Sequence, residues 1–499
     1  VAYHDATAKD QLLTVACRFA DLICRVFGRK EGQIHGYPGH QEIELALVKL
    51  YRKTGAKRYL DTAQYFIDER GQVPNYFLGE IQKGKKEYIH DEFKDYDLKY
   101  AQSHMPPREQ RTAEGHAVRA VYMYTAMADL AYEYGDAELM AACEAIWDNI
   151  VKKRMYITGS VGSSGFLERF TTDYDLPNDS NYSETCAAIG LVLFSSRMAA
   201  IKRDARYMDI VERTLYNTVL AGISLKGDRY FYVNPLEVWP ESCMEHTSKA
   251  HVKPVRQRWF SVPCCPTNVA RTLASLGQYI YFRNDTLFLL NLYIDNKTDD
   301  VINGCHVSFA LQSSHLIDGK SVLTVNAKQP GTFTVGLRIP GYVQAYAITI
   351  DGKPIDPPVE KGYALIERQW DGESRIGIDF TILPQFVAAH PDVRADAGKV
   401  ALVKGPIVYC LEQIDNGKNL ASIIVDPRQP IAADCDPGLF GGTPVLRCTG
   451  KKISNRNWDT ALYQPAEFLT EPVELKAIPY CLWGNRAPGE MTVWLKASI

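Results

Sequence analysis

YIYFRNDTLFLLNLYI, residues 279–294, is where the chain changes character. The stretch is aromatic and β-branched, and short alternating runs recur beyond it with turn residues between them. TFTVGLRIPG (332–341), AYAITIDGKPI (345–355) with its Asp351-Gly352 turn, and GPIVYCLE (405–412) are examples. Alternation of this kind reads as half-buried strands joined by tight turns. The roughly 220 residues that follow suit two β-sandwiches of about 100 residues each, with a joint near residue 386.

Before that stretch the period is helical. Leu12, Val15, Ala16, Phe19, Leu22, Ile23 and Val26 recur at three- and four-residue steps, which predicts a core-facing helix over 10–27. Helices follow at 41–54 and 57–70, closed by Gly55 and Gly71, and then at 115–134, 137–153, 184–201, 205–220 and 266–278. Serial helical hairpins of this size imply a solenoid or a closed toroid, and no repeat of fixed period favours the solenoid. Long irregular insertions at 72–112, 155–183 and 224–263 are rich in Gly, Pro, Tyr, His and Asp. Loops of that length in a compact domain are usually functional.

With 499 residues, 46% hydrophobic and 23% charged, the chain can bury several cores, so a multidomain protein is expected. A net charge of −3 with both signs interspersed offers no basic stripe for nucleic acid. No apolar run approaches the roughly 18–20 residues that cross a bilayer, so no membrane partner is expected. The first thirty residues read as an amphipathic helix rather than a secretory signal. The chain opens on Val1, so a preceding segment, with any signal peptide, is expected. Twelve cysteines without a repeating spacing indicate a reducing compartment, and a cytoplasmic location is expected.

Four segments of the helical half combine thiol, carboxylate and imidazole groups. Glu184-Thr185-Cys186 and the adjacent pair Cys264-Cys265, flanked by Pro263 and Pro266, together offer three thiolates and a carboxylate. That set suits zinc better than cations that prefer all-oxygen shells. The other reading is that each cysteine fills a core position or a tight turn. Glu168, in GSVGSSGFLERFTTDYDLPND, is a loop carboxylate that reads as a general acid or as a solvated surface residue. His40 and His116 each stand near a helix start with glycine close before them. A histidine there caps its helix, or stays neutral and donates to a sugar hydroxyl.

In order along the chain, GYPGHQEIELALVKLYRKTGAKRYLDTAQYFIDERG, EGHAVRA, FTTDYDLPNDSNYSETCAAIG, FYVNPLEVWP, CCPTNVAR, RIPGY, KGPIVYCLE and NRAPGEMTVW resemble signature stretches of the zinc-dependent β-L-arabinofuranosidases, glycoside hydrolase family 127, also known as the DUF1680 group. The resemblance implies an α+β multidomain protein with a catalytic (α/α)6 barrel over 1–280, N-terminally incomplete because eight helices are four short of twelve. It implies a first β-sandwich over 281–385 to which a strand at 493–499 returns, and a second over 386–492. Glu184, Cys186, Cys264 and Cys265 match the Zn²⁺ ligands, Cys264 the nucleophile and Glu168 the acid/base. His40, His116 and Tyr232 match sugar-binding positions. The implied reaction is retaining release of L-arabinose from a small oligosaccharide or glycoside, and a homodimer is the assembly it allows. Hydrolysis of another furanoside or a branched pectic sugar is an alternative, as is a non-catalytic carbohydrate-binding protein with a structural zinc.

Overall fold

The structure, a computed structural model, describes residues 1–83, 96–458 and 461–498. Residues 84–95 of the expected 72–112 insertion and Ile499 of the expected final strand lie outside the described residues. The chain divides into two compact units. One comprises Val1–Tyr156, Ser160–Asp175 and Asn181–Ile201, and the other Ile157–Gly159, Leu176–Ser180 and Lys202–Ile499. The division at 201 falls inside the helical half rather than at the change of sequence character near 280.

The first unit is helical: α1 (Ala2–Thr7), α2 (Gln11–Val26), α3 (Ile43–Thr54), α4 (Lys57–Glu69), α5 (Tyr76–Lys83), α6 (Ala117–Tyr134), α7 (Ala137–Asn149) and α8 (Thr185–Lys202). Gly55 stops α3 in a left-handed conformation, φ 71°, and α4 begins two residues later. The helix predicted over 10–27 forms, but its apolar stripe does not face a core. Leu12, Val15, Phe19 and Leu22 are all exposed, and only Ala20 is buried. The polar face of α2 meets α4 instead: Asp21 accepts from Arg58 at 2.6 Å and from Tyr59 at 3.0 Å, and Thr62 donates to the Cys24 sulfur at 3.1 Å. Helix α8 corrects a second expectation. Over 18 residues it is apolar enough to cross a membrane, with mean hydropathy 1.3, yet 72% of it is buried inside the protein, which marks a core helix.

Helices α9 (Ala205–Thr214) and α10 (Cys264–Ala274) belong to the second unit. Arg338, fully buried on a long strand, ties α9 to the β region, with its guanidinium 2.6 Å from both the Asp209 and Glu212 carboxylates. A buried cation survives only when paired and hydrogen-bonded in this way.

The middle region is one nine-stranded sheet, not the two separate sheets expected of a sandwich. Its strands include β1 (Leu287–Leu290), β2 (Cys305–Ser313), β3 (Lys320–Arg338) and β4 (Tyr363–Thr381). The 19-residue β3 and β4 pair antiparallel along their whole length, with a register shift between Trp370 and Gly372. One end of β3 takes β1 and the other takes β2. Phe288 of β1 stacks on Phe309 of β2 at 3.7 Å, so the sheet folds back on itself and packs like a sandwich while remaining continuous.

The C-terminal region corrects the second sandwich. Strands β5 (Lys399–Lys404), β6 (Ile407–Glu412), β7 (Ile423–Val425), β8 (Thr443–Ile453), β9 (Thr470–Pro479) and β10 (Trp494–Ala497) close into a six-strand barrel in the order β5-β6-β9-β8-β7-β10-β5. The strand expected to return to the first β domain is β10, and it pairs with β5 and β7 of this barrel instead. Closure is the physical reason, because β10 fills the one gap between β5 and β7 and leaves no open edge there. Leu402, Tyr409, Leu411, Ile423, Leu446, Leu475 and Leu495 fill the interior.

Asp396, just before β5, is buried and accepts from the Asn178 side chain at 2.6 Å. Burial outweighs that hydrogen bond and the Lys399 charge, and with the nearby Glu237 charge pushes its carboxyl up to about 6. A raised carboxyl pKa favours the folded state fully below the ordinary value near 4 and loses that advantage as pH rises through 6. Asp396→Asn is therefore expected to leave stability unchanged at pH 4 and to raise it at pH 8 by up to about 3 kcal/mol. Thermal unfolding at the two pH values measures this, and an equal effect at both would remove Asp396 as the cause.

Candidate active site

In the first unit the chemistry gathers where α6 begins. His116 is its N-cap, and its Nδ1 accepts from the Arg119 backbone N–H at 3.4 Å. That bond leaves the proton on Nε2, which lies 2.8 Å from Glu168 Oε2. The capping reading of His116 is thus met by Nδ1, while Nε2 faces Glu168 rather than a sugar hydroxyl. Gly115 makes the approach possible: at φ 69° a Cβ there would fall 1.8 Å from the Lys99 carbonyl oxygen. Tyr100 packs edge-on against the His116 ring at 5.6 Å, and the Arg119 guanidinium covers Tyr100 at 4.6 Å.

Glu168 is presented by a short turn, with Ser164 and Arg169 exchanging backbone hydrogen bonds at 3.2 and 3.1 Å. Leu167 and Glu168 both sit in the left-handed region, at φ 54° and 53°. Two adjacent side-chain-bearing residues there cost of order 1–3 kcal/mol each, a strain that clusters at functional sites. Tyr182 donates to Glu168 Oε1 at 2.8 Å. Donor atoms of His116, Glu168 and the buried Glu184 all lie within 4.8 Å of one another. Burial alone would push the Glu168 carboxyl up, but the hydrogen bonds donated by His116 and then Tyr182 hold it below the ordinary range.

Behind this cluster, one side chain braces both loops. Helix α7 runs on through a π-helical turn, Ile150–Arg154. The largely buried Arg154 reaches Asp173 at 2.7 Å, Glu114 at 3.3 Å and the Ala113 carbonyl. Burial would raise the Asp173 carboxyl, but bonds from Arg154, Lys153 and Asn149 bring it down to about 2. His40 stands in the same unit, exposed, with its ring 6.0 Å from that of His116. Cys186 is buried on the first turn of α8.

In the second unit, Tyr230–Tyr232 forms a wall held from behind. Phe231 stacks on Trp483 at 4.6 Å, and the buried Arg256 lies over Phe231 at 4.5 Å while donating to the Ala221 and Trp483 carbonyls. Tyr230 donates to Val262 O at 2.8 Å and accepts from the Phe260 N–H at 3.1 Å, which fixes the approach to Cys264. Cys264 is exposed on the first residue of α10, where the helix dipole favours a thiolate, and Cys265 beside it is buried. The Cys264 sulfur lies 3.5 Å from the Tyr232 hydroxyl and 3.8 Å from the Cys265 sulfur. None of the twelve cysteines is in a disulfide. Two sulfurs bound at about 2.3 Å to one tetrahedral zinc lie about 3.8 Å apart, so the pair is spaced as two ligands of one ion. The first unit offers the Glu184 carboxylate and the Cys186 thiol, and the second the Cys264 and Cys265 thiols, all residue types that can ligate a metal ion.

The model of the β-L-arabinofuranosidase GH127 catalytic domain matches residues 1–278, and those of the GH127 middle and C-terminal domains match 288–382 and 384–496. The chain belongs to glycoside hydrolase family 127. It is 38% identical to the non-reducing end β-L-arabinofuranosidase of Bifidobacterium longum subsp. longum, over 99% of this chain and 76% of that protein. The crystal structure of a GH127 β-L-arabinofuranosidase from Geobacillus stearothermophilus T6 superposes with a TM-score of 0.96 at 48% identity, covering 100% of this chain and 78% of that one. A second GH127 β-arabinofuranosidase superposes at 0.86 and 37% identity, covering 100% and 75%. This family 127 chain is thus a glycoside hydrolase.

Of the residues singled out in the sequence, His40, His116, Glu168, Glu184 and Cys186 stand in the first unit, and Tyr232, Cys264 and Cys265 in the second. Sequence reasoning missed Tyr182, although it stands two residues before Glu184 in the quoted NYSETC. It also missed Arg154, which reads as the third member of an ordinary basic run, Lys152-Lys153-Arg154.

Proposed function

We propose that this protein is a retaining β-L-arabinofuranosidase in which Cys264 is the nucleophile and Glu168 the acid/base, with one zinc held by Glu184, Cys186, Cys264 and Cys265. The family match supports the sugar, and the 3.8 Å spacing of the Cys264 and Cys265 sulfurs carries the metal-thiolate reading. The helices form part of an (α/α)6 barrel in this proposal, supported by the packing of the consecutive pairs α3/α4 and α6/α7. Zinc, when bound, keeps coordinating thiols deprotonated at neutral pH.

The residues then divide the work. Glu168 gives its proton to the departing glycosidic oxygen as the Cys264 sulfur bonds to the anomeric carbon and the C–O bond breaks. In the second step Glu168, now ionised, takes a proton from water, whose oxygen attacks the anomeric carbon opposite the sulfur, on the face the first leaving group vacated, as the C–S bond breaks and the thiolate is restored. His116 and Tyr182 each donate to one carboxylate oxygen, which holds Glu168 in line and favours the ionised form needed for the second step. A glycoside that seals the site from water favours the protonated form needed for the first. His40 and Tyr232 hold sugar hydroxyls, while both ring nitrogens of His116 are taken by the Arg119 N–H and Glu168.

Turnover of aryl β-L-arabinofuranosides against other aryl furanosides and pectic disaccharides tests the substrate, and a preference for another sugar would replace arabinose in this reading. Metal analysis should find about one zinc per chain. Cys265→Ser is expected to lower zinc content and melting temperature together, because ligand loss is also a folding defect. Folded, active protein without zinc would end the metal part of the proposal.

A further inference from the structure

The second unit carries a cavity of about 400 Å³ that shares no lining residue with the site described above. Glu237, Val238, Trp239 and Glu241 form one side, Lys418–Ala421 another, and Glu490, Met491 and Thr492 the third. The volume falls within the usual range of small-ligand pockets. Two features show that its walls are built in advance. Glu237 and Val238 pair antiparallel with Thr492 and Met491, and the Val493 N–H donates to Leu236 O at 2.9 Å, which fixes one wall to another. The Glu490 carboxylate accepts the backbone N–H groups of Asn419 and Leu420 at 2.7 and 2.8 Å, holding Asn419 in a left-handed conformation and so shaping the loop.

Glu490 is therefore spent on structure, and the remaining polar groups face a ligand. Glu237, Glu241 and Lys418 make no ion pair among the described residues. At the mouth stands Trp239, whose indole is 56% exposed although its backbone is pinned, with the Trp239 carbonyl accepting from the Ser242 backbone N–H at 3.0 Å and its hydroxyl at 2.8 Å. A large aromatic face in water beside a polar cavity has unburied apolar area to offer a ligand.

We infer that this cavity is a second carbohydrate site, which takes a neutral oligosaccharide with a C–H face of one ring on Trp239 and hydroxyls donating to Glu237 and Glu241. Glu237 and Glu241 are acceptors only and outnumber the one Lys418 ammonium, so the cavity suits hydroxyl donors and its net negative charge disfavours uronate carboxylates. The inference rests on the chain's being a glycoside hydrolase, and it gives the protein a hold on the substrate chain apart from the bond it cleaves.

The test uses the whole protein carrying Cys264→Ser, so that ligand is not consumed, with α-1,5-linked arabinotetraose and tetragalacturonate as probes in calorimetric titration. Trp239→Ala is expected to weaken a binding event for arabinotetraose at least tenfold, Trp239→Phe to retain most of it, and tetragalacturonate to show no Trp239-dependent binding. In the otherwise native protein, Trp239→Ala should leave kcat/KM on an aryl arabinofuranoside within twofold, since that substrate has no chain to hold. Arabinotetraose binding that is absent, or unchanged in Trp239→Ala, overturns the site, as does equal binding of tetragalacturonate. Absence of aryl arabinofuranoside hydrolysis by the unsubstituted protein would instead count against the proposed activity.

Discussion

Replacing Cys264 with glycine or serine is expected to abolish hydrolysis even of aryl β-L-arabinofuranosides, whose leaving groups need no proton, a loss of roughly 10⁴-fold or more. The sulfur is exposed at a helix start, where the dipole favours its anionic form, while its neighbour Cys265 is buried 3.8 Å away. An arabinofuranose-derived haloacetamide should for that reason label Cys264 and spare Cys265, and peptide mapping reads the difference. The first product of the unsubstituted enzyme should retain its anomeric configuration by NMR. A label on a carboxylate, or an inverted first product, would replace the cysteine mechanism with one using two carboxylates.

For Glu168→Gln the expected loss is roughly 10²–10⁴ in turnover on a natural alkyl or glycosyl leaving group, with fold and zinc content intact. Cleavage of the first bond in an activated aryl glycoside should suffer far less, because a good leaving group departs without a proton. The amide keeps the side-chain shape and can still accept from Tyr182, giving up the bond from His116, while the proton transfer is removed. Equal losses on both substrates would reduce Glu168 to a residue that positions the sugar.

The helices were the most legible part of the sequence, because a 3.6-residue period and a stopping glycine are local signals. Periodicity says that Leu12, Val15, Phe19 and Leu22 share a face, but not what lies against it, and α4 takes the Asp21 and Cys24 face instead. Alternation located the strands of the β half in the same way, yet it fixes only which side chains share a face. Which strand lies beside which depends on contacts far apart in sequence, such as Lys399 with Lys496 and Ile424 with Lys496, and these turn the expected sandwich into a closed barrel. At the candidate site, residue types suited to acid–base and metal chemistry were visible. The left-handed backbone that presents Glu168 was not, because glycine stands nearby at 162 and 165 while the strained positions are Leu167 and Glu168.

Arg154 also bears on how this candidate site can change. One guanidinium grips both the turn before His116, through Glu114, and the segment after Glu168, through Asp173. Two stretches more than fifty residues apart in the chain are thereby clamped to a common post, and slack introduced into one is felt by the other. A redesign that lengthens either loop to admit a bulkier sugar would have to refit both ends of the clamp together.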